Sequence, residues 1–331
     1  MGLAAATLII AVTSPLFVRS YPASELHRGV ETLPARSVYR WRSEGYADTH
    51  VGPLGMPGRP TRNAAGAYTR IALWGDSQAE GVAVPDHQKW FAVVESLGRH
   101  DGDAESSVAA YPMARSGDSL DDWLEQMPRV ERELSITHHA ILICELSDLT
   151  TSESRPPLGN LSQPDRGLHR WRPPAFVIQA GKHILTTSDG SFRRLRFRPG
   201  RASIAPTDAD AVGLNRRPPT DWDAVASRLR AATSLPVEIV YAPLVPNITG
   251  GQLRLTDPSA DRATRAASAM TRRGIGWTDR TEALVSVYRD EGVMPHGFHN
   301  GRPGSGHLNA RGYQAVGRLQ SVHQRRSIHG D

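Results

Sequence analysis

Five short apolar runs stand out along a chain that is otherwise mixed or polar: 70–74 (RIALW), 107–113 (SVAAYPM), 139–146 (HAILICEL), 236–242 (PVEIVYA) and 274–277 (GIGW). Each predicts a strand. The segments between them repeat apolar residues at helical spacing. "DHQKWFAVVESLGRH" sets Trp90, Val93, Val94 and Leu97 on one face, and "SLDDWLEQMPRVEREL" does the same with Leu120, Trp123, Leu124 and Met127. "TDWDAVASRLRAATS" offers Thr220 as an N-cap ahead of an apolar stripe, and "DPSADRATRAASAMTRRG" starts at Asp257-Pro258 and stops at Gly274. A last helix is built on Leu308, Tyr313, Val316 and Leu319. Strand and helix in alternation predict an α/β fold: a central parallel sheet of about five strands with helices on both faces.

Three stretches fall outside that alternation. Residues 2–18 carry no charge and are mostly apolar, a little short of the roughly 20 residues that a spanning helix needs. With Pro15 and no basic residue ahead of the apolar stretch, residues 1–22 read as a signal anchor or an uncleaved export signal; a buried N-terminal helix is the alternative. The expected location is the cell membrane, held by this single segment with an extracytoplasmic domain, or secretion. Residues 23–68 are polar, rich in Gly and Pro and poorly periodic, and read as a stalk or linker to a domain over 69–326. That domain is interrupted by an insertion over 150–219. There, Ser188-Asp189-Gly190-Ser191 is a hairpin-turn signal before "FRRLRFR", where Phe192, Leu195 and Phe197 alternate with arginines. This arm reads first as an edge strand blunted by charge. A basic cover that meets an anionic polymer or surface is the second reading.

Charge and cysteine content narrow the picture. The 331 residues carry a formal net charge of +5, but the basic excess is concentrated between Arg155 and Arg217. A whole-protein nucleic-acid footprint is therefore not indicated, and no nucleic-acid partner is expected. The single cysteine, Cys144, excludes an intrachain disulfide and reads as a small buried core residue.

Two positions carry candidate chemistry. Ser77, in "LWGDSQAEG", follows the first strand, at the end of a parallel sheet where binding sites form. On its own, Gly-Asp-Ser is equally a capping turn. His307, in "GSGHLNARGY", sits just before the last helix, a placement that suits a general base. The pairing of a loop serine with a distant loop histidine raises both. His296, His299 and His307 lack metal-ligand spacing and an accompanying acidic or cysteine cluster, so no metal and no cofactor is expected; His296 or His299 is a candidate pocket residue.

Four blocks, in order, resemble those of SGNH (GDSL-type) hydrolases: "LWGDSQAEG", "ARSGDSLDDW", "ILICELSDL" and "GSGHLNARGY". The apolar N-terminus and the "GVAVPDHQKWFAVVE" continuation resemble the membrane-associated or exported bacterial branch, which handles acyl groups on envelope or extracellular sugars. The resemblance implies a three-layer α/β/α sandwich, flavodoxin-like, with Ser77 as nucleophile and His307 as base. It implies an oxyanion hole from Ser77, Gly117 and Ser147, the last standing where the family has Asn. It also implies Asp three residues before the histidine; Gly304 stands there instead. A backbone carbonyl, Asp279 or Asp290 are the expected substitutes. Asp76 reads as a turn brace and Asp148 as a loop brace. Arg115 reads as a surface charge, with a substrate carboxylate as the alternative partner. The implied activity is removal of acyl (acetyl) groups from envelope or extracellular glycans. An O-acyltransferase on the same scaffold and a catalytically weakened carbohydrate-binding or assembly protein are the alternatives.

Overall fold

A computed structural model describes residues 30–42, 44–58, 69–98, 108–150 and 220–319, together with 25–27 and a few isolated positions near the N-terminus. The anchor reading falls almost wholly outside these residues, and the insertion hairpin with its arginines falls outside them entirely. Among the described residues, no helix is long and apolar enough to cross a membrane.

The chain opens with two antiparallel pairs, β1 (Glu25–His27) with β2 (Val30–Thr32) and β3 (Val38–Trp41) with β4 (Ala47–His50). The α/β alternation then begins with β5 (Thr69–Gly75), α1 (Ser77–Glu80), α2 (Trp90–Gly98), β6 (Val108–Pro112), α3 (Leu120–Leu134) and β7 (His138–Ile143). It continues with α4 (Trp222–Ala232), β8 (Val237–Tyr241), the small hairpin β9 (Asn247–Thr249) and β10 (Gln252–Arg254), and α5 (Ala260–Arg272). It closes with β11 (Gly276–Asp279), α6 (Thr281–Glu291) and α7 (Ala310–Val316).

The five predicted strands form one parallel sheet in the order β6–β5–β7–β8–β11. Its strands, apart from the partly exposed edge strand β11, are buried on both faces and alternate between two cores, as a two-residue period requires. Ala72, Trp74, Ile141, Ile143, Ile239 and Tyr241 pack beneath α3, α4 and α5, whereas Ile71, Leu73, Ala140, Leu142 and Val240 pack beneath α2, α6 and α7. Numbered along the alternation, the order is 2-1-3-4-5. The connection from β5 leaves toward one edge and the connection from β7 toward the other, so a crevice opens beyond their carboxyl ends. Topology alone therefore sets Ser77, which follows β5, and Ser147, which follows β7, on that crevice.

Some local expectations change. Asp221, not Thr220, caps α4, its Oδ1 accepting the Ala224 N–H at 3.0 Å. The last strand starts two residues late because Gly274, in a left-handed conformation, ends the preceding helix. Helix α6, "TEALVSVYRDE", was absent from the expected order; Leu284 and Val285 bury its inner face. Buried His139 is satisfied within the core, accepting from Trp74 Nε1 at 2.9 Å and pairing with Glu131 at 2.9 Å through Nε2.

The turn out of β5 is sterically closed. Gly75 has φ +146, and a Cβ there would stand 2.5 Å from Ala79 Cβ and 2.6 Å from the Leu142 carbonyl oxygen. Gly75→Ala is expected to destabilise the fold by about 1–3 kcal/mol, from strain and overpacking combined. A urea titration with a lowered midpoint and an unchanged m-value checks it.

Candidate active site

Ser77 is the first residue of α1, and Asp76 caps it, Oδ1 accepting the Gln78 N–H at 2.8 Å. The Ser77 hydroxyl approaches Asp76 Oδ2 at 3.5 Å, and among the described residues no hydrogen bond joins it to His307. Burial raises the Asp76 pKa, against the Gln78 N–H and nearby His307, which favour the ionised form. His307 lies across the crevice, in the loop before α7. The Gln78 side chain ties the two loops together: Nε2 donates to the Gly306 carbonyl at 3.2 Å, and Oε1 accepts the Leu308 N–H at 3.0 Å.

The partner of the His307 ring is Glu44. Its Oε1 accepts both the His307 main-chain N–H, at 2.7 Å, and Nδ1 of the ring through a short contact. The expected substitutes do not take this place: Asp279 caps α6 by accepting the Thr281 N–H at 2.8 Å, and Asp290 is exposed on α6. Burial works against ionisation of Glu44, but the hydrogen bonds and charge of His307 outweigh it and hold the carboxyl below its ordinary range. The Glu44 carboxylate fits because Gly306, at φ +91, has no side chain; a Cβ there would overlap Oε2. Trp41 meets the His307 ring edge-on, 6.1 Å between centroids.

Glu44 belongs to the stretch expected to be a stalk, so residues 38–42 and 44–50 correct that expectation. They form a hairpin docked on the α1–α2 segment through buried polar hooks. Tyr39 donates to Glu80 Oε1 at 2.9 Å. Fully buried Lys89 donates to Thr49 Oγ1 at 2.9 Å and to the carbonyls of Gly81 and Val84 at 2.5 and 3.2 Å. Asn300, beside the histidine loop, donates to the Gly45 carbonyl at 2.7 Å. These satisfied polar groups flank a small apolar cluster in which Leu33, Tyr39, Trp41 and Val51 pack on Val82 and Ala83.

Glu80 also reaches the loop after β6. Its Oε2 accepts the Ser116 N–H at 2.8 Å and the Ser116 hydroxyl at 2.7 Å, fixing the residue before Gly117. Gly117 is exposed, and among the described residues neither its N–H nor that of Ser77 is spent on a protein acceptor. Ser147 is exposed as well, but its hydroxyl donates to Glu145 Oε2 at 3.2 Å. Asp148 braces that loop by accepting the Glu145 N–H at 3.1 Å. Burial, together with the charges of Asp76 and Glu145, pushes its pKa up to about 7.

Other candidates separate. Arg115, read first as a surface charge, is buried at 4% exposure, just before the Gly117 loop. His296 is fully buried; it pairs through Nε2 with the Pro243 carbonyl at 3.2 Å, and burial holds its pKa down to about 4, which places it in the core rather than in a pocket. His299 is exposed and lines a groove of about 340 Å³ with Tyr46, Phe298 and Arg311. No cluster of potential metal ligands occurs among the described residues. The residues that sequence reasoning missed are Glu44, Gln78, Glu80 and Tyr39. The alternation Val38-Tyr39-Arg40-Trp41 ahead of Glu44-Gly45 was the available signal.

No family model and no curated protein matches the chain. Among solved structures, it is similar to a protein provisionally assigned to the G-D-S-L lipolytic family, from Desulfitobacterium hafniense (11% identity, 78% of this chain and 98% of that one, TM-score 0.38). It is also similar to a lipase/acylhydrolase from Enterococcus faecalis (14%, 78% and 96%, 0.37) and a catalytic mutant of an acetylxylan esterase from Geobacillus stearothermophilus (10%, 78% and 94%, 0.40). The 2-1-3-4-5 parallel order sets the first three motif blocks at one end of the sheet, and the Gln78 hydrogen bonds bring the fourth beside the first. The fold is a three-layer α/β/α sandwich with the flavodoxin-like strand order.

Asp148 gives a pH-dependent expectation. Its folded pKa, about 7, lies above the ordinary value of 3.8. Between those values the folded chain holds a proton that the unfolded chain has released, so this group makes stability fall as pH rises, levelling off above about 7. Asp148→Asn is expected to flatten that decline, measured as denaturation midpoints across pH 4–8 against the unsubstituted chain.

Proposed function

We propose that the protein is a serine ester hydrolase working through an acyl-enzyme, with Ser77 as nucleophile, His307 as base and Glu44 orienting the imidazole. The observation that supports this most is the Glu44 carboxylate on Nδ1 of His307. A proton held on Nδ1 leaves Nε2 as the acceptor, the tautomer that a base needs.

The steps follow from those roles. Ser77 Oγ attacks the ester carbonyl carbon as its proton passes to His307 Nε2. The N–H groups of Ser77 and Gly117 donate to the developing oxyanion at the start of a helix, where the backbone dipoles favour negative charge. The intermediate collapses, the C–O bond breaks, and the alcohol leaves with the proton from His307. Water, deprotonated by His307, then attacks acyl-Ser77; the bond from the acyl carbon to Ser77 Oγ breaks, His307 returns the proton to Oγ, and the acid is released. Glu44 stabilises the imidazolium in both halves. With its hydroxyl directed at Glu145, Ser147 is a weak third donor; one missing donor costs about 10²–10³ in rate. Acylated glycans as substrates, acetyl groups foremost, follow from the sequence resemblance. An acyltransferase shares every step except the last, where a sugar hydroxyl replaces water.

The test is turnover of a short-chain chromogenic ester together with labelling by a fluorophosphonate. The unsubstituted chain should turn over and label at Ser77, and Ser77→Ala should do neither; equal inertness of both overturns the reading. Sugar acceptors that suppress release of free acid would mark a transferase. Glu44→Gln keeps the shape of the side chain but removes its charge. It is expected to lower kcat by about 10²–10⁴ with a smaller change in KM.

A further inference from the structure

His307 is fixed from two sides, and the side opposite Glu44 is one amide. Gln78 holds the carbonyl before His307 and the N–H after it, at 3.2 and 3.0 Å. The main chain of Gln78 is itself pinned: its N–H donates to Asp76 Oδ1 at 2.8 Å, and its carbonyl accepts from the buried Tyr313 hydroxyl at 2.5 Å. The amide has no slack in orientation. Turned over, it would set its NH₂ against the Leu308 N–H and its oxygen against the Gly306 carbonyl, two repulsive contacts in place of two bonds. The chemistry is specific to glutamine at this length. Glutamate offers acceptors without a donor, methionine neither, and asparagine is one methylene short.

We propose that Gln78 is a positioning residue that sets His307 in register with Ser77, one residue away in sequence. This rests on the ester-hydrolase reading for its consequence in rate, and on geometry alone for the clamp. Glu44 fixes the rotation and tautomer of the ring. Gln78 fixes where the peptide carrying that ring stands relative to the nucleophile. Proton transfer between Ser77 and His307 is sensitive to that spacing, since a misplacement of about 1 Å costs about 10²-fold in rate.

The experiment compares Q78M, Q78E and the unsubstituted chain. Q78M is expected to lose about 10–10² in kcat, with KM nearly unchanged and a parallel slowing of fluorophosphonate labelling. Q78E adds a signature that general destabilisation does not produce. When protonated, its carboxyl is again a donor and an acceptor, so its kcat relative to the unsubstituted chain should rise as pH is lowered. The same ratio for Q78M should stay flat. A second readout needs no activity. Hydrogen exchange of the Leu308 N–H should be slow in the unsubstituted chain and faster by roughly tenfold in Q78M, the equivalent of one lost hydrogen bond. Variants within twofold of the unsubstituted chain at every pH, or a Leu308 N–H indifferent to Q78M, overturn the proposal. An unsubstituted chain that is inert but shows the Leu308 effect overturns the hydrolase reading and leaves the clamp standing.

Discussion

The carboxylate of Glu44 on His307 is the contact around which the candidate site is organised, and it spans 263 positions of sequence. An isolated imidazole on a glycine-rich loop rotates freely and exchanges its proton between two nitrogens. One carboxylate oxygen that takes both the main-chain N–H and Nδ1 removes both freedoms at once. Its cost is a charge taken partly out of water, and the neighbouring imidazole offsets that cost.

The rest of the site reads as support for that contact. Helix α1 is only four residues long, yet two of its three polar side chains reach beyond the helix. Gln78 holds the histidine loop, and Glu80 joins the Gly117 loop to the Tyr39 hairpin. Buried hydrogen bonds add to a small apolar cluster between the hairpin and the α1–α2 segment.

The sheet was legible in the sequence because doubly buried parallel strands appear as continuous apolar runs, such as "AILIC" in β7, and need no partner to be recognised. The places of Ser77, after a buried strand, and of His307, before the last helix, were legible because each lies beside a regular element. Glu44 was not. Its neighbours Arg42, Gly45 and Tyr46 look like linker, and its role is set by a residue almost the whole chain away. Ser147 was legible as a departure from the family pattern, but the direction of its hydroxyl depends on Glu145 two residues earlier, a matter of rotamer that sequence does not fix. Arg115 shows the same limit, since composition cannot tell a buried arginine from a solvated one.

The absent side chain at Gly306 has an evolutionary consequence. A carboxylate arriving from an upstream hairpin needs bare backbone to settle on, whereas one carried three residues before the histidine on the same loop does not. Two independent constraints therefore hold glycine at 306, the left-handed backbone and the carboxylate lying against it, so relatives that keep the acid upstream should retain it.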